Sequence, residues 1–220
     1  MTPRTSRRLV LWRHGRTAWN VEGRAQGTID VPMDEVGREQ ARDAAARLAS
    51  LRPAFVWSSD LTRAADTATE LATLTGVEVQ HEQRLREINT GARQGLTFAE
   101  LKDRFPDVWE AFIAGEALPR ARGGEIEAEV GDRVAAVMLE AVGALDVGQV
   151  GVLVSHGVSI RVGLCRFLGL AEEHWHSLAG VSNCAWVVVE EWRRGWRLVD
   201  YNAGSLPEPV LSDDELESAR

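Results

Sequence analysis

Short apolar runs alternate along this chain with longer segments in which apolar residues recur at helical spacing. A short continuous apolar run is typical of a buried strand, and the longer amphipathic segments are typical of helices packed on a sheet. The predicted strands are Arg8–Trp12, Pro53–Trp57, Glu78–His81 and Gln149–Val154. Helices are predicted over residues 34–50, 60–75, 97–114, 127–142 and from 157 to about 168, the second of them ended by Gly76.

The last part of the chain predicts a hairpin followed by a polar tail. Cys184–Glu190 and Trp196–Tyr201 are apolar or alternating, and Arg193–Gly195 links them, which favours antiparallel strands. Residues 205–220 hold five acidic side chains and two prolines, which predicts an acidic tail. Because strands alternate with helices, we expect an α/β fold: a three-layer α/β/α sandwich with a mostly parallel sheet and an antiparallel edge strand. We expect residues 1–204 to form a single domain.

Charge and hydropathy narrow the possible partners. The net charge of −8 argues against a general nucleic-acid binder. No segment approaches the roughly 20 apolar residues of a membrane span. The run Leu9–Trp12 is too short for the core of a signal peptide, so we expect a cytoplasmic protein with no membrane partner.

The cysteines and the paired histidines predict no metal site. Cys165 and Cys184 have no zinc-like spacing, so we expect two buried free thiols. His174 and His176 are two residues apart, and such positions do not face each other in a helix.

Polar clusters follow three of the predicted strands. They are Arg13-His14-Gly15, Ser58-Ser59 and Ser155-His156-Gly157. The carboxyl ends of parallel strands meet at one edge of a sheet, where ligands bind in open α/β folds. If these strands are neighbours, two imidazoles come together among arginines. Arginine binds phosphate with better directional geometry than lysine, because its guanidinium group presents a planar set of donors.

These clusters belong to a longer series of ordered blocks. The series resembles the histidine phosphatase superfamily, with its phosphoglycerate-mutase-like fold, from about residue 8 to residue 202. Its blocks are Arg13 to Thr17 with Asn20; Gln26-Gly27 with Asp30, Pro32 and Met33; Ser58 to Ala64 with Thr67-Ala68; Leu85 to Ile88 with Gly91 and Gly95; Gly123-Gly124-Glu125; and Val154 to Gly157.

The resemblance implies a role for each matching residue. It implies that His14 takes the phosphoryl group as a phosphohistidine, that Arg13 and Arg63 bind its oxygens, and that His156 hydrogen-bonds them. Glu87 is implied as the proton donor and acceptor, while Glu35, Glu82, Glu100 and Glu125 remain alternative acids. Asn20, Thr17, Gln26 and Gly27 are implied on the phosphate and substrate side. The arginines, together with an imidazole, already neutralise the charge of a phosphoryl group in transfer, so we expect neither a metal nor a cofactor.

The departures from the family pattern bear on the activity. Members usually carry aromatic residues where Thr90 and Arg93 stand. The Arg-His-Tyr-Gly run that usually follows the acid in cofactor-dependent mutases is absent, and residues 97–124 are compact, which favours hydrolysis over phosphate retention. We therefore expect a phosphatase acting on a small phosphorylated metabolite. A phosphoglycerate mutase and a catalytically silent phospho-ligand or protein-binding member remain the alternatives.

The C-terminal part is similar to the glucosyl-3-phosphoglycerate phosphatases. The similarity lies in Asn183 to Trp186, in Trp192, and in Trp196 to Leu198 leading to Tyr201-Asn202. It implies glucosyl-3-phosphoglycerate as a possible substrate and a homodimer as the assembly.

Overall fold

The computed structural model describes residues 6–114, 121–193 and 195–204, and its centre is a six-stranded sheet. The strands lie in the order β3-β2-β4-β1-β5-β6. Their bounds are β1 (Arg8–Arg13), β2 (Phe55–Ser58), β3 (Val79–His81), β4 (Val150–Ser155), β5 (Trp186–Trp192) and β6 (Gly195–Ala203).

Strand β4 is the middle of the parallel part of the sheet. All six of its residues are buried, as a strand covered on both faces requires. It pairs in parallel with β1 on one side and with β2 on the other, and β3 extends the parallel set. Strand β5 is antiparallel to β1, and β6 is antiparallel to β5. The predicted mostly parallel sheet with an antiparallel edge is confirmed.

Two layers of helices cover the sheet. The helices are α1 (Ala18–Val21), α2 (Glu35–Ala49), α3 (Thr62–Thr75), α4 (Phe98–Arg104), α5 (Pro106–Ile113), α6 (Glu127–Gly143) and α7 (Gly157–Phe167). In β1, Val10 and Trp12 face a core built with α2 and α3, whereas Leu9 and Leu11 face a core built with α6 and α7. Alternate residues of one strand thus serve opposite layers, which is the three-layer arrangement predicted.

Two helical segments differ from the prediction. The segment expected as one helix over residues 97–114 forms two helices. Pro106 disfavours a helical conformation of the residue before it, and Phe105 has φ −139° and ψ 64°. The short helix α1 was not predicted; the Thr17 hydroxyl accepts from the backbone N–H of Asn20 and begins it.

The remaining expectations concern single features. Cys165 and Cys184 are free and buried, as predicted. None of the helices in the described parts of the chain is long and apolar enough to cross a membrane. Within the same ranges, no group of three or more His, Cys, Asp or Glu side chains is placed to hold a metal ion. The predicted tail, residues 205–220, lies outside the described residues.

Candidate active site

The ends of β1, β2 and β4 meet at one edge of the sheet, beside a cavity of about 240 Å³. The register places Arg13 opposite Ser155, and Ser58 opposite Val154. The polar clusters that follow the three strands are therefore neighbours. Of the residues predicted from the sequence, those that line the cavity are Arg13, His14, Asn20, Gln26, Gly27, Arg63 and Glu87.

His14 is buried and fixed in one tautomer. Its Nδ1 lies 2.8 Å from the carbonyl oxygen of Gly15. A carbonyl can only accept, so Nδ1 carries the proton and Nε2 keeps a lone pair. Burial, Arg63 and Arg13, in that order, lower the pKa of His14 well below the ordinary value of 6.5. The ring is therefore neutral near pH 7, and its Nε2 is a competent nucleophile.

The loop around His14 is held on several sides. The backbone N–H of Cys184 and the side-chain amide of Asn183 both donate to the carbonyl oxygen of His14, at 3.2 and 3.1 Å. Behind the loop, a Cβ on Gly15 would come within 2.3 Å of the carbonyl oxygen of Gly37, so only glycine fits there.

His156 stands beside His14 and has one unsatisfied nitrogen. Its Nε2 lies 2.9 Å from the hydroxyl of Ser59. Its Nδ1 is buried and has no hydrogen-bond partner among the described residues. Buried polar atoms are almost always paired, so this unpaired nitrogen beside the His14 ring indicates a position for a ligand atom. Burial first, and then the positive charge of Arg63, lower the pKa of His156 well below 6.5.

Two buried guanidinium groups flank the histidines. Arg63 has no exposed surface, and its two terminal nitrogens donate to the carbonyl oxygens of Ile29 and Gly27 at 2.9 and 2.8 Å. Burial lowers the pKa of Arg63 to about 10, so it remains charged at neutral pH. Arg13 donates to the carbonyl oxygen of Val181 and lies against Gly157, where a Cβ would be 3.5 Å from its Cζ. Both arginines are thus oriented before a ligand arrives.

Glu87 reaches the cavity from the loop before α4 and caps α7. Its carboxylate accepts from the backbone N–H groups of Val158 and Ser159, at 3.2 and 3.0 Å, at the start of that helix. The Ser159 hydroxyl adds a third contact at 3.1 Å. Arg133 holds the same loop from α6 by donating to the carbonyl oxygens of Arg84, Arg86 and Glu87. The carboxyl group therefore has a fixed position at the cavity wall.

The alternative acids lie in other surroundings. Glu82 is paired with Arg84, and Glu100 with Arg24. Glu35 is exposed at the start of α2. Glu125 does line the cavity, but both of its carboxylate oxygens contact Arg133.

The four predicted substrate-side residues divide into two groups. Asn20, Gln26 and Gly27 line the cavity. Thr17 has no exposed surface and lies behind them, where its hydroxyl contacts the side chains of Asn20 and Gln26, both at 3.1 Å. Thr17 therefore positions that wall and does not face the ligand space.

The cavity is also lined by charged residues to which the sequence assigned no role, apart from the alternative acid Glu125. Arg24, Arg93, Arg161, Glu125 and Glu127 all line the cavity. Four of them are neutralised by ion pairs. The pairs are Arg24 with Glu22 and Glu100, Arg161 with Glu127, and Glu125 with Arg133. Of these five residues, only Arg93 forms no ion pair within the described parts of the chain. Its departure from the aromatic residue expected at that position was the signal in the sequence.

Comparison with known protein families decides what this arrangement belongs to. The model of the histidine phosphatase superfamily (branch 1) matches residues 9–204. The chain belongs to this superfamily. Its resemblance to that superfamily, inferred from the ordered sequence blocks, is confirmed.

Several similar members of the histidine phosphatase superfamily are named as phosphatases of small metabolites. The chain is 36% identical over 216 residues to glucosyl-3-phosphoglycerate phosphatase of Mycolicibacterium vanbaalenii. The aligned region covers 90% of this chain and 96% of the relative. The chain is 38% identical over 156 residues to metal-independent phosphoserine phosphatase of Arabidopsis thaliana, covering 70% and 65% of the two chains. The structure of mycobacterial glucosyl-3-phosphoglycerate phosphatase with VO3 superposes with a TM-score of 0.83 at 36% identity, over 90% of this chain and all of the other.

The predicted activity class is confirmed by these relationships. This histidine phosphatase superfamily member is an enzyme that hydrolyses phosphate monoesters of small metabolites by a histidine-dependent mechanism.

Proposed function

We propose that His14 is the nucleophile of a metal-independent phosphomonoesterase and carries the phosphoryl group as a phosphohistidine. The observation that carries this proposal is the Nε2 lone pair of His14. His14 lines the cavity together with the preoriented guanidinium groups of Arg13 and Arg63, and the neighbouring His156 ring has an unsatisfied nitrogen. Such a site matches a phosphoryl group, whose three equatorial oxygens need directional positive donors.

In the first step the His14 Nε2 attacks phosphorus and forms a P–N bond. The P–O bond to the substrate alcohol breaks, and the leaving oxygen takes a proton from Glu87 in its acid form. Arg13, Arg63 and the ring N–H of His156 bind the oxygens in transfer. Glu87 is placed for this role because it lines the same cavity as His14.

In the second step a water molecule attacks the phosphorus of the phosphohistidine. The water gives its proton to the Glu87 carboxylate, the P–N bond breaks, and inorganic phosphate leaves with both enzyme groups restored. Asn20, Gln26 and Gly27 shape the wall that the substrate contacts, and Thr17 holds that wall in place.

The substrate we propose is a small phosphorylated hydroxy acid, glucosyl-3-phosphoglycerate being the first candidate. Two findings support this choice: the relatives include enzymes of that name at 36% identity over most of both chains, and the cavity, at about 240 Å³, has room for more than a phosphoryl group.

The first experiment measures phosphate release with EDTA present, from glucosyl-3-phosphoglycerate, 3-phosphoglycerate, phosphoserine, sugar phosphates and an aryl phosphate. We expect release by the wild type and a loss of at least a thousandfold in His14→Ala. His81→Ala is the matched control, because His81 is an exposed histidine at the end of β3. Equal activity of His14→Ala and the wild type would overturn the nucleophile. Retention of phosphate with interconversion of phosphoglycerates would identify a mutase, and tight binding without turnover a silent phospho-ligand protein.

The acid is tested by the leaving group. Glu87→Gln cannot protonate the departing oxygen, so its rate should fall steeply for alkyl phosphates and little for an aryl phosphate with a good leaving group. Glu100→Gln serves as the control, because Glu100 is an alternative acid that pairs with Arg24. If Glu87→Gln slows both substrate types equally, the proton donor is another group.

We also propose that the enzyme is a cytoplasmic homodimer. Strand β6 ends the sheet, and Val199 on β6 and Trp192 on its neighbour β5 are 45% and 47% exposed, which offers apolar surface to a second copy. Sedimentation should give twice the chain mass of 24.2 kDa, and a monomer at micromolar concentration would contradict the dimer. Cell fractionation tests the location.

A further inference from the structure

Arg93 places a largely buried guanidinium group in the cavity wall without an ion-pair partner among the described residues. The residue is 5% exposed, and it lines the same cavity as His14. Its Nε makes one long contact, 3.4 Å, to the carbonyl oxygen of Thr90. Among the described residues, the two terminal amino groups have no acceptor within hydrogen-bond distance. Asp107 on α5 acts on the charge of Arg93 but forms no ion pair with it.

Burying a guanidinium group without an ion pair is unfavourable, because the charge loses part of its hydration. The terminal nitrogens of Arg93 are not among the fully buried atoms that lack a partner, so they remain accessible from the cavity that Arg93 lines. Other charged side chains that line the cavity form ion pairs, as Arg24 does with Glu100 and Arg161 with Glu127. An acceptor supplied by a ligand would remove the cost at Arg93. Burial lowers the pKa of Arg93, and the nearby charge of Asp107 opposes that effect only in part.

The position of Arg93 is fixed relative to the phosphate-binding residues. It ends the short helical turn Gly91–Arg93, and the next residue, Gln94, accepts from the backbone N–H of Thr28 at 2.6 Å. The segment that Gln94 holds also supplies the Gly27 carbonyl oxygen that orients Arg63. A rigid chain of contacts therefore joins the two guanidinium groups, and the spacing between two anionic groups on one ligand can be selected.

We propose that Arg93 is a specificity-determining residue that binds a carboxylate of the substrate while Arg13 and Arg63 hold its phosphoryl group. The inference rests on the proposed function. A carboxylate fits better than a second phosphoryl group because it brings one negative charge to one guanidinium, whereas a phosphoryl group brings about two.

The test uses substrates that differ only in the carboxylate. 3-Phosphoglycerate and glycerol 3-phosphate form one pair, and phosphoserine and phosphoethanolamine the other. The wild type should prefer the carboxylated member. In Arg93→Gln the preference, taken as the ratio of kcat/KM within a pair, should fall roughly 10- to 100-fold, mostly through KM, and Arg93→Lys should keep part of it. If part of the variant protein is unfolded, kcat/KM falls by the same factor for both substrates, so the ratio is unaffected.

Arg24→Gln is the matched control, since it removes the same charge from the same wall but from a residue that two carboxylates already neutralise. Its preference ratio should stay within about threefold of the wild type. A wild type without carboxylate preference, or an Arg93→Gln variant that loses both members of a pair equally, would overturn the inference. A loss confined to bisphosphorylated substrates would show that the second group is a phosphate.

A binding measurement separates this inference from the proposed function. Calorimetry on His14→Ala compares 3-phosphoglycerate with glycerol 3-phosphate, with and without Arg93→Gln, and needs no turnover. If the wild type releases no phosphate but the binding preference depends on Arg93, the function fails and the carboxylate site stands. If phosphate is released and the binding preference is absent, the reverse holds.

Discussion

The imidazole rings of His14 and His156 lie 5.1 Å apart between centroids, with their planes tilted by 55°. Both rings are buried beside Arg63, and the charge of that arginine disfavours a proton on either of them. The pair is thus held neutral while keeping two different functions available: a lone pair on one ring and an N–H donor on the other.

The first prediction concerns the pH dependence of catalysis. The pKa of His14 is lowered, so kcat/KM should begin to fall only below pH 6.5 as the pH is decreased. The substrate's phosphate also takes up a proton near pH 6, and the profile is corrected for that ionisation. Removing the positive charge in Arg63→Gln stabilises the imidazolium, so this acid limb of the profile should move to higher pH. The rate at pH 7 should fall roughly a hundredfold or more, because a phosphoryl ligand is also lost.

Arg42→Gln provides the comparison, because Arg42 is exposed on α2 and outside the cavity. Its pH profile should match that of the wild type. An acid limb that stays in place in Arg63→Gln would contradict the electrostatic origin of the shift.

The same histidines predict how stability depends on pH. Both have a folded-state pKa below 6.5, so the unfolded chain binds protons that the folded chain does not. Their contribution is fully present above pH 6.5 and is lost as the pH falls towards the folded-state values. Each histidine contributes a slope of up to about 1.4 kcal/mol per pH unit in that window.

Urea unfolding of the wild type and His156→Gln between pH 5 and 8 measures this effect. The variant should lose about half of the histidine slope, whatever its absolute stability. His174→Gln, which removes an exposed histidine, should keep the slope of the wild type. Parallel curves for all three proteins would contradict the prediction.

Ser59 is predicted to set the tautomer of His156. When its hydroxyl donates to Nε2, Nδ1 carries the ring proton and can donate to a phosphoryl oxygen. Ser59→Ala should therefore lower kcat roughly tenfold at unchanged fold. Ser58→Ala is the comparison, because the Ser58 hydroxyl bonds the backbone carbonyl of Ser59 and does not touch the histidine. Similar losses in both variants would indicate a packing effect only.

Two helical glycines should respond oppositely to alanine. At Gly37 a Cβ would lie 2.1 Å from the carbonyl oxygen of Arg16, and Arg16 is two residues after His14. At Gly143 a Cβ would meet nothing within 4 Å. Gly37→Ala should lower the free energy of unfolding by about 1–3 kcal/mol and reduce activity. Gly143→Ala should raise it by about 0.5–1 kcal/mol and leave activity intact. Thermal unfolding and phosphate release measure both, and a harmless Gly37→Ala would contradict the close contact.

Local patterns predicted the strands and the histidines well, because both leave a signal within a few residues. The apolar run before His14 and the run before His156 are sufficient to place each at a strand end. The signal for Glu87 is weaker: its neighbours do not reveal that it caps α7, about 70 residues later in the chain. Pro106 marks the boundary between α4 and α5 and is visible in the sequence. A proline at this position is compatible both with a single kinked helix and with the start of a second helix, so the sequence did not decide between them.

Arg93 shows what the sequence could not supply. Its departure from an aromatic residue was visible, yet the lack of a partner depends on where Asp107, Glu125 and Glu127 come to lie in space. Charge balance around a buried group is a property of the folded neighbourhood, so only the structure reveals it.

The order of strands has a consequence for biosynthesis. Strand β1 leads directly to His14 near the start of the chain, but its neighbours β4 and β5 begin at Val150 and Trp186. A ribosome that has made the first three strands has therefore made no β1 pair, since β4 lies between β1 and β2. The apolar β1 must remain sheltered until most of the polypeptide has emerged, which makes this enzyme a candidate client for chaperones that hold nascent chains.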